Sequence, residues 1–203
     1  MIIIIDYGVG NLGSLTNMLK KIRVTSKISS DQEDIESADK LILPGVGSFD
    51  HGMQKLQELN LIDILNKKVI TEKTPILGIC LGMQLFTKAS EEGVQQGLGW
   101  IDANTVKFTM DKMTALKIPH MGWETLDVKK SHFLMQGTEN NAMYYFVHSF
   151  HVVCNQNEDI LSTSHYGYDF VSSFVKDNIL GVQFHPEKSH KYGMKILENF
   201  CKF

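Results

Sequence analysis

Residues 75–86 read Pro75-Ile76-Leu77-Gly78-Ile79-Cys80-Leu81-Gly82-Met83-Gln84-Leu85-Phe86. Pro75 to Ile79 is an apolar run of strand length, and Met83, Leu85 and Phe86 belong to a helical stretch. Between them a cysteine sits one residue inside each of two glycines. A nucleophile on a sharp strand-to-helix turn needs small neighbours, because the backbone there is strained and closely packed; the G-x-S-x-G elbow of hydrolases is the serine version. At a helix N-terminus the dipole and the free N–H groups favour thiolate over thiol. The N–H of Leu81 then points to where an oxyanion develops. The plain alternative is that Cys80 is a small core residue at a strand end, since glycines flank many such junctions for packing alone.

Outward from this elbow, the first half of the chain alternates short apolar runs with helical patterns. Ile2 to Ile5 reads as a buried strand followed by the turn Asp6-Tyr7-Gly8-Val9-Gly10, and Leu12, Leu15, Met18, Leu19 and Ile22 repeat at helical spacing. Leu41-Ile42-Leu43 is a further strand, ended by Pro44-Gly45-Val46-Gly47. Leu56, Leu59, Ile62, Ile64 and Leu65 belong to amphipathic helix with a break near Asn60. Buried strands separated by helices imply a parallel sheet in an α/β fold. The second half differs: Tyr144-Tyr145-Phe146-Val147 and Ile179 to Phe184 are rich in aromatic and branched residues, turn residues are frequent between them, and antiparallel pairing is expected. A last helix carries Ile196, Leu197 and Phe200. No repeat or linker interrupts residues 1–203, so a single domain is expected.

Composition narrows the function. A chain of 203 residues buries roughly 70% of the surface its unfolded form exposes and needs no staples. Net charge is −3 and no basic block is present, which argues against nucleic acid as a partner. Lys20-Lys21-Ile22-Arg23 reads as the solvated end of a helix. Three widely spaced cysteines, Cys80, Cys154 and Cys201, suggest neither a disulfide framework nor a metal ladder and fit a reducing compartment. The run Ile2–Ile5 is too short for a signal-peptide core, and no apolar stretch reaches the roughly 18 residues that span a membrane. A cytoplasmic protein with no membrane partner is expected.

Gln183-Phe184-His185-Pro186-Glu187 ends the last predicted strand. Side chains alternate along an extended segment, so His185 and Glu187 face the same way, and Pro186 keeps His185 extended. A carboxylate beside an imidazole fixes its tautomer and stabilises the imidazolium. Alone, this pair also suits a surface ion pair or two ligands of an incomplete metal site. The other histidines show no ligand spacing, so neither a metal nor a cofactor is expected.

Taken in order, Leu43-Pro44-Gly45-Val46-Gly47, Gly78 to Gln84 and Gly181 to Glu187 resemble the three signature segments of the class I, triad-type glutamine amidotransferases. A narrower resemblance is to the glutaminase subunits that serve a cyclase in imidazole glycerol phosphate synthase. It rests on Asp6 to Leu12, Pro119-His120-Met121-Gly122-Trp123, Tyr145 to Ser149, and Lys188-Ser189, and covers the chain from Ile5 to Phe200. The family implies a three-layer α/β fold: a mostly parallel central sheet, an antiparallel C-terminal part, and the nucleophile elbow at Cys80. It implies Cys80 as nucleophile, His185 as base and Glu187 as its orienter, with backbone N–H groups of Val46 and Leu81 as the oxyanion hole. Gly47, Gln84, Glu92 and Ser149 match positions that bind glutamine. Asn11, Trp123, Tyr145 and Lys188 match positions facing the synthase partner, which is a (β/α)8-barrel cyclase with which a heterodimer forms. For Gln84 and Glu92 the alternative is ordinary helix surface, for Ser149 strand-end polarity, and for Trp123 a place in the core.

Two departures leave the ammonia acceptor open. Gly13 in Asn11-Leu12-Gly13-Ser14, and His51-Gly52-Met53, differ from the expected forms on what the resemblance makes the partner-facing side. A paralogous glutaminase feeding another acceptor, such as a sugar amidination system, accommodates them. A non-enzymatic scaffold and a peptidase on the same fold are disfavoured by the intact triad and by Gln84.

Overall fold

A computed structural model of the chain describes residues 1–110 and 116–203. Its first half is strand β1 (Ile2–Ile5), helix α1 (Leu12–Lys21), β2 (Ser26–Ser29), α2 (Gln32–Glu36), β3 (Lys40–Gly45), α3 (Phe49–Glu58), α4 (Ile62–Asn66), β4 (Ile76–Cys80) and α5 (Leu81–Leu85). The second half is β5 (Ala103–Lys107), β6 (His120–Glu124), β7 (Asp127–Val128), β8 (Tyr144–His148), β9 (Phe150–Cys154), β10 (Ile160–Tyr166), β11 (Tyr168–Lys176), β12 (Ile179–Val182) and α6 (His190–Lys202).

Among the described residues the central sheet runs β2-β1-β3-β4-β12-β11-β10-β7, with β9 on β11 and β5 on β9. The pairs from β2 to β12 are parallel. Those beyond β12 are antiparallel. β12 is therefore the junction, parallel to β4 on one side and antiparallel to β11 on the other. Alternation along β1 shows why both faces are covered: Ile3 and Ile5 pack with α3, α4 and α5, whereas Ile2 and Ile4 pack with α1 and α6. The result is the three-layer arrangement expected from the sequence. β6 and β8 form a separate antiparallel pair.

Local signals account for the element ends. The Asn11 side chain accepts from the Ser14 N–H at 3.3 Å and caps α1, while Lys20 and Lys21 lie in its last turn, where cations complement the helix dipole. α3 stops at Glu58, and Asn60 takes a left-handed φ of +53° at the predicted break. Among the described residues no helix is long and apolar enough to cross a membrane.

Candidate active site

β4 and β12 lie side by side with Val182 opposite Ile79. Parallel pairing brings both strands out at the same sheet edge. β4 ends in Cys80, and the chain after β12 carries Gln183 and His185 beside it before turning into a short 3-10 helix, Pro186–Lys188, so Glu187 reaches His185 from a helical turn and not from the extended segment that the sequence suggested.

Cys80 has φ +53° and ψ −108°, a region that costs a non-glycine residue on the order of 1–3 kcal/mol unless its surroundings hold it there. Two glycines make the turn sterically feasible. A Cβ on Gly82 would lie 1.8 Å from the Leu43 carbonyl oxygen, and one on Gly78 would lie 2.7 Å from both the Met83 nitrogen and the Phe86 ring. No side chain fits at either place, so α5 can rest directly on β3 and β4.

His185 Nδ1 is 2.7 Å from Glu187 Oε1, with the two side chains 1% and 6% exposed. Burial by itself pushes the imidazole down. The neighbouring Cys80 sulfur and the bond to Glu187 together outweigh burial and push His185 up to about 10. Among the described residues Nε2 has no hydrogen-bond partner, so its attraction to Cys80 acts across the pocket rather than through a formed bond. Glu187 Oε2 is likewise buried and unpartnered.

A cavity of about 280 Å³ opens in front of Cys80. Val46, Gly47, Leu81, Gln84, Glu92, Ser149 and His185 all line it, together with Pro119, Val147, His148 and Phe150. Segments more than a hundred residues apart are thus gathered around one sulfur. Gln84 is not open helix surface: its Nε2 donates to the Phe150 carbonyl and to Gln183 Oε1, each at 3.0 Å. Glu92 accepts from the Phe49 N–H at 2.8 Å, capping α3, whose Ser48 makes no side-chain cap bond. The carboxylate therefore holds an element in place as well as facing the cavity.

His148 and Gln183 were not singled out by the sequence. His148 Nδ1 donates to the Phe150 carbonyl at 2.8 Å, which leaves Nε2 to accept from His120 Nδ1 at 3.1 Å. Burial pushes His148 down to about 3 and His120 down to about 4, so both are neutral. Two histidines line the cavity, and their surroundings sort them: His185 is the one that carries a proton. Gln183 is fully buried, and its Nε2 is 3.6 Å from Cys80 Sγ.

Asn11, Trp123, Tyr145 and Lys188 lie away from the cavity lining. Trp123 is 38% exposed rather than in the core. It stacks on His190 at 5.3 Å and stands edge-on to Tyr145, its register partner across β6 and β8. Lys188 Nζ lies 5.4 Å from the centre of the Tyr145 ring. Asn11 is exposed and Gly13 beside it faces open space. The second departure has a different explanation. Gly52 and Met53 are buried, and a Cβ on Gly52 would press on Leu81 and Leu85, so this glycine serves the packing of α3 on α5. Only His51 of that trio is exposed.

The model of the family glutamine amidotransferase class-I matches residues 3–202. The chain is 57% identical over 202 residues to imidazole glycerol phosphate synthase subunit HisH 2 of Methanococcus maripaludis, covering all of this chain and 99% of that one. It is 46% identical over 202 residues to subunit HisH 2 of Pseudomonas aeruginosa, with the same coverage. The crystal structure of a GMP synthase subunit from Thermoplasma acidophilum superposes with a TM-score of 0.73 at 23% identity, over 99% of this chain and 92% of that chain, and speaks to the fold alone. With an elbow cysteine, a buried His–Glu pair and a shared cavity in place, the chain belongs to the class-I glutamine amidotransferase family and groups within it with the HisH subunits.

Proposed function

We propose that the chain is the glutaminase subunit of imidazole glycerol phosphate synthase, with residues 1–203 working as one domain. The observation that carries this is the adjacency of β4 and β12, which sets a strained cysteine and a buried His185–Glu187 pair on one cavity. The Cys80 thiolate attacks the side-chain carbonyl carbon of glutamine. Leu81 and Val46 N–H groups receive the oxyanion, and one such donor is typically worth about 3–4 kcal/mol. The His185 imidazolium protonates the departing nitrogen, the C–N bond breaks, and ammonia leaves behind a thioester on Cys80. His185, now neutral, takes a proton from water; hydroxide adds to the thioester, and glutamate is released with the sulfur restored. Glu187 holds the imidazole through Nδ1. Gln84, Glu92, Gly47 and the backbone at Ser149 hold the substrate, with Glu92 facing its ammonium.

The ammonia passes to a (β/α)8-barrel cyclase, which makes imidazole glycerol phosphate and the aminoimidazole carboxamide ribonucleotide in histidine biosynthesis. Met121 and Trp123 are 61% and 38% exposed and point to the same side of the β6–β8 pair as Tyr145 and Val147, the last of which lines the cavity. A partner seated on this apolar side covers the cavity mouth and keeps the ammonia from solvent. Asn11 and Lys188 lie at the edge of that surface in this scheme. A cytoplasmic location suits a biosynthetic pair with free cysteines.

A second acceptor remains a reading in its own right, favoured by the open position of Gly13 and by relatives named as second HisH copies. Two experiments test the assignment. A glutamine-analogue electrophile should label Cys80 in the complex with a cyclase, as read by peptide mass; no adduct would overturn the glutaminase itself. Complementation of a histidine auxotroph lacking this protein should succeed. Failure despite measurable glutaminase activity moves the acceptor elsewhere.

A further inference from the structure

We propose that Gln183 is a positioning residue for the nucleophile: its side-chain N–H is a fixed hydrogen-bond donor to Cys80 Sγ, oriented through Gln84 by the carbonyl of Phe150. This rests on the glutaminase reading of the same site and adds to it a residue outside the triad. The two ends of a carboxamide have the same shape, so neighbours decide which end faces where. The Phe150 carbonyl can only accept. Gln84 therefore turns its NH₂ end to it, at 3.0 Å. The same nitrogen is 3.0 Å from Gln183, which must answer with its oxygen. The Gln183 nitrogen is left facing Cys80 Sγ at 3.6 Å.

Gln183 has no solvent exposure, and its backbone N–H is tied to the Ser172 carbonyl at 2.9 Å. A buried amide is unfavourable unless its polar atoms are paired, and an apolar residue would fill the same volume. Its pairing is with Gln84 and the sulfur. On its other side Cys80 Sγ meets the Val147 carbonyl at 4.0 Å, an acceptor that suits a thiol and opposes a thiolate. The Gln183 donor is the counterweight, and it strengthens when the sulfur is charged. Since Gln84 also lines the cavity, the chain from Phe150 to Cys80 couples ligand contact at Gln84 to the nucleophile.

The test is the pH dependence of iodoacetamide alkylation at Cys80, followed by peptide mass in the full chain without glutamine. Gln183→Met keeps the length and removes the donor. Its alkylation midpoint should move to higher pH by about one unit, the tenfold effect expected from losing one bond to a charged group. In the complex with the cyclase, kcat for glutamine should fall about tenfold while KM stays within about twofold. If thermal melting shows Gln183→Met unfolded, Gln84→Leu leaves Gln183 in place with its amide unpinned, and its midpoint should also rise. A profile superposable on the wild type in a folded variant overturns the proposal. Alkylation needs no turnover, so a displaced midpoint in a chain without glutaminase activity removes the function and keeps the hydrogen bond. Cys154 and Cys201 are pushed up by burial to about 12 and about 11, and the peptide readout separates them from Cys80.

Discussion

His185 is pushed up although burial alone would push it down, because its ring neighbours the Cys80 sulfur and is bonded to Glu187. Folding raises this histidine above its ordinary 6.5 to about 10. Its contribution to stability is therefore complete below pH 6.5 and is lost as pH climbs through about 10. In the proposed mechanism the same window governs chemistry, since there the imidazolium is the acid for the leaving nitrogen. The kcat/KM profile of the complex should hold its alkaline plateau and fall only near pH 10. Glu187→Gln keeps an acceptor for Nδ1 but removes the charge, so the alkaline limb should move to lower pH and kcat/KM should drop by about 10²-fold. A wild-type limb near pH 7 rejects this account. Cys80, His185 and Glu187, which the structure brings together, stood out in the sequence because their signal is local: a glycine on each side of one, and a two-residue spacing for the others. Gln183 could not, because the residues that give it a role, Cys80 and Gln84, are about a hundred positions away and only the β4–β12 register brings them together.

The β6–β8 pair is the element on which the two halves of the proposed function meet. Its side chains alternate. His120, Phe146 and His148 point inward and are buried, whereas Met121, Trp123 and Tyr145 point outward. The segment from His185 to Ser189 hangs on it: the His185 N–H donates to the Tyr145 carbonyl at 2.9 Å, and the Tyr145 N–H donates to Ser189 Oγ at 3.0 Å. Trp123→Ala should therefore weaken cyclase binding by roughly 30-fold or more, as truncation of an interface tryptophan commonly does. The melting temperature of the isolated chain should change little, because the indole is partly exposed. Titration calorimetry and a thermal melt check this together; a large loss of stability with unchanged affinity would make Trp123 structural. β8 is visible in its aromatic alternation. β6 is hidden by Met121 and Gly122, which carry no strand signal, and β10 and β11 by runs of Ser, Thr and Tyr whose burial depends on distant partners.

For the whole molecule, the parallel strands β1, β3, β4 and β12 are buried on both faces, and the outer pieces rest on fewer neighbours. Amide hydrogen exchange should follow this gradient, slowest in β3, β4 and β12 and faster in β7 and in the β6–β8 pair. Cyclase binding should slow exchange in β6 and β8 and leave β3 unchanged; uniform exchange across the chain would contradict the gradient. The parallel core was legible because its strands are continuous apolar runs, whereas the place of β12 as a junction was not: the aromatic and branched run Ile179 to Phe184 points to antiparallel pairing alone, and its parallel partner β4 lies about a hundred residues earlier in the chain. The alternation of the β6–β8 pair bears on descent as well. Its inward side chains are buried in the core and beside the cavity, but its outward ones Met121 and Trp123 are exposed. A duplicated gene can therefore be redirected to a new acceptor by rewriting a few outward positions, and the inherited chemistry beneath them passes through the change intact.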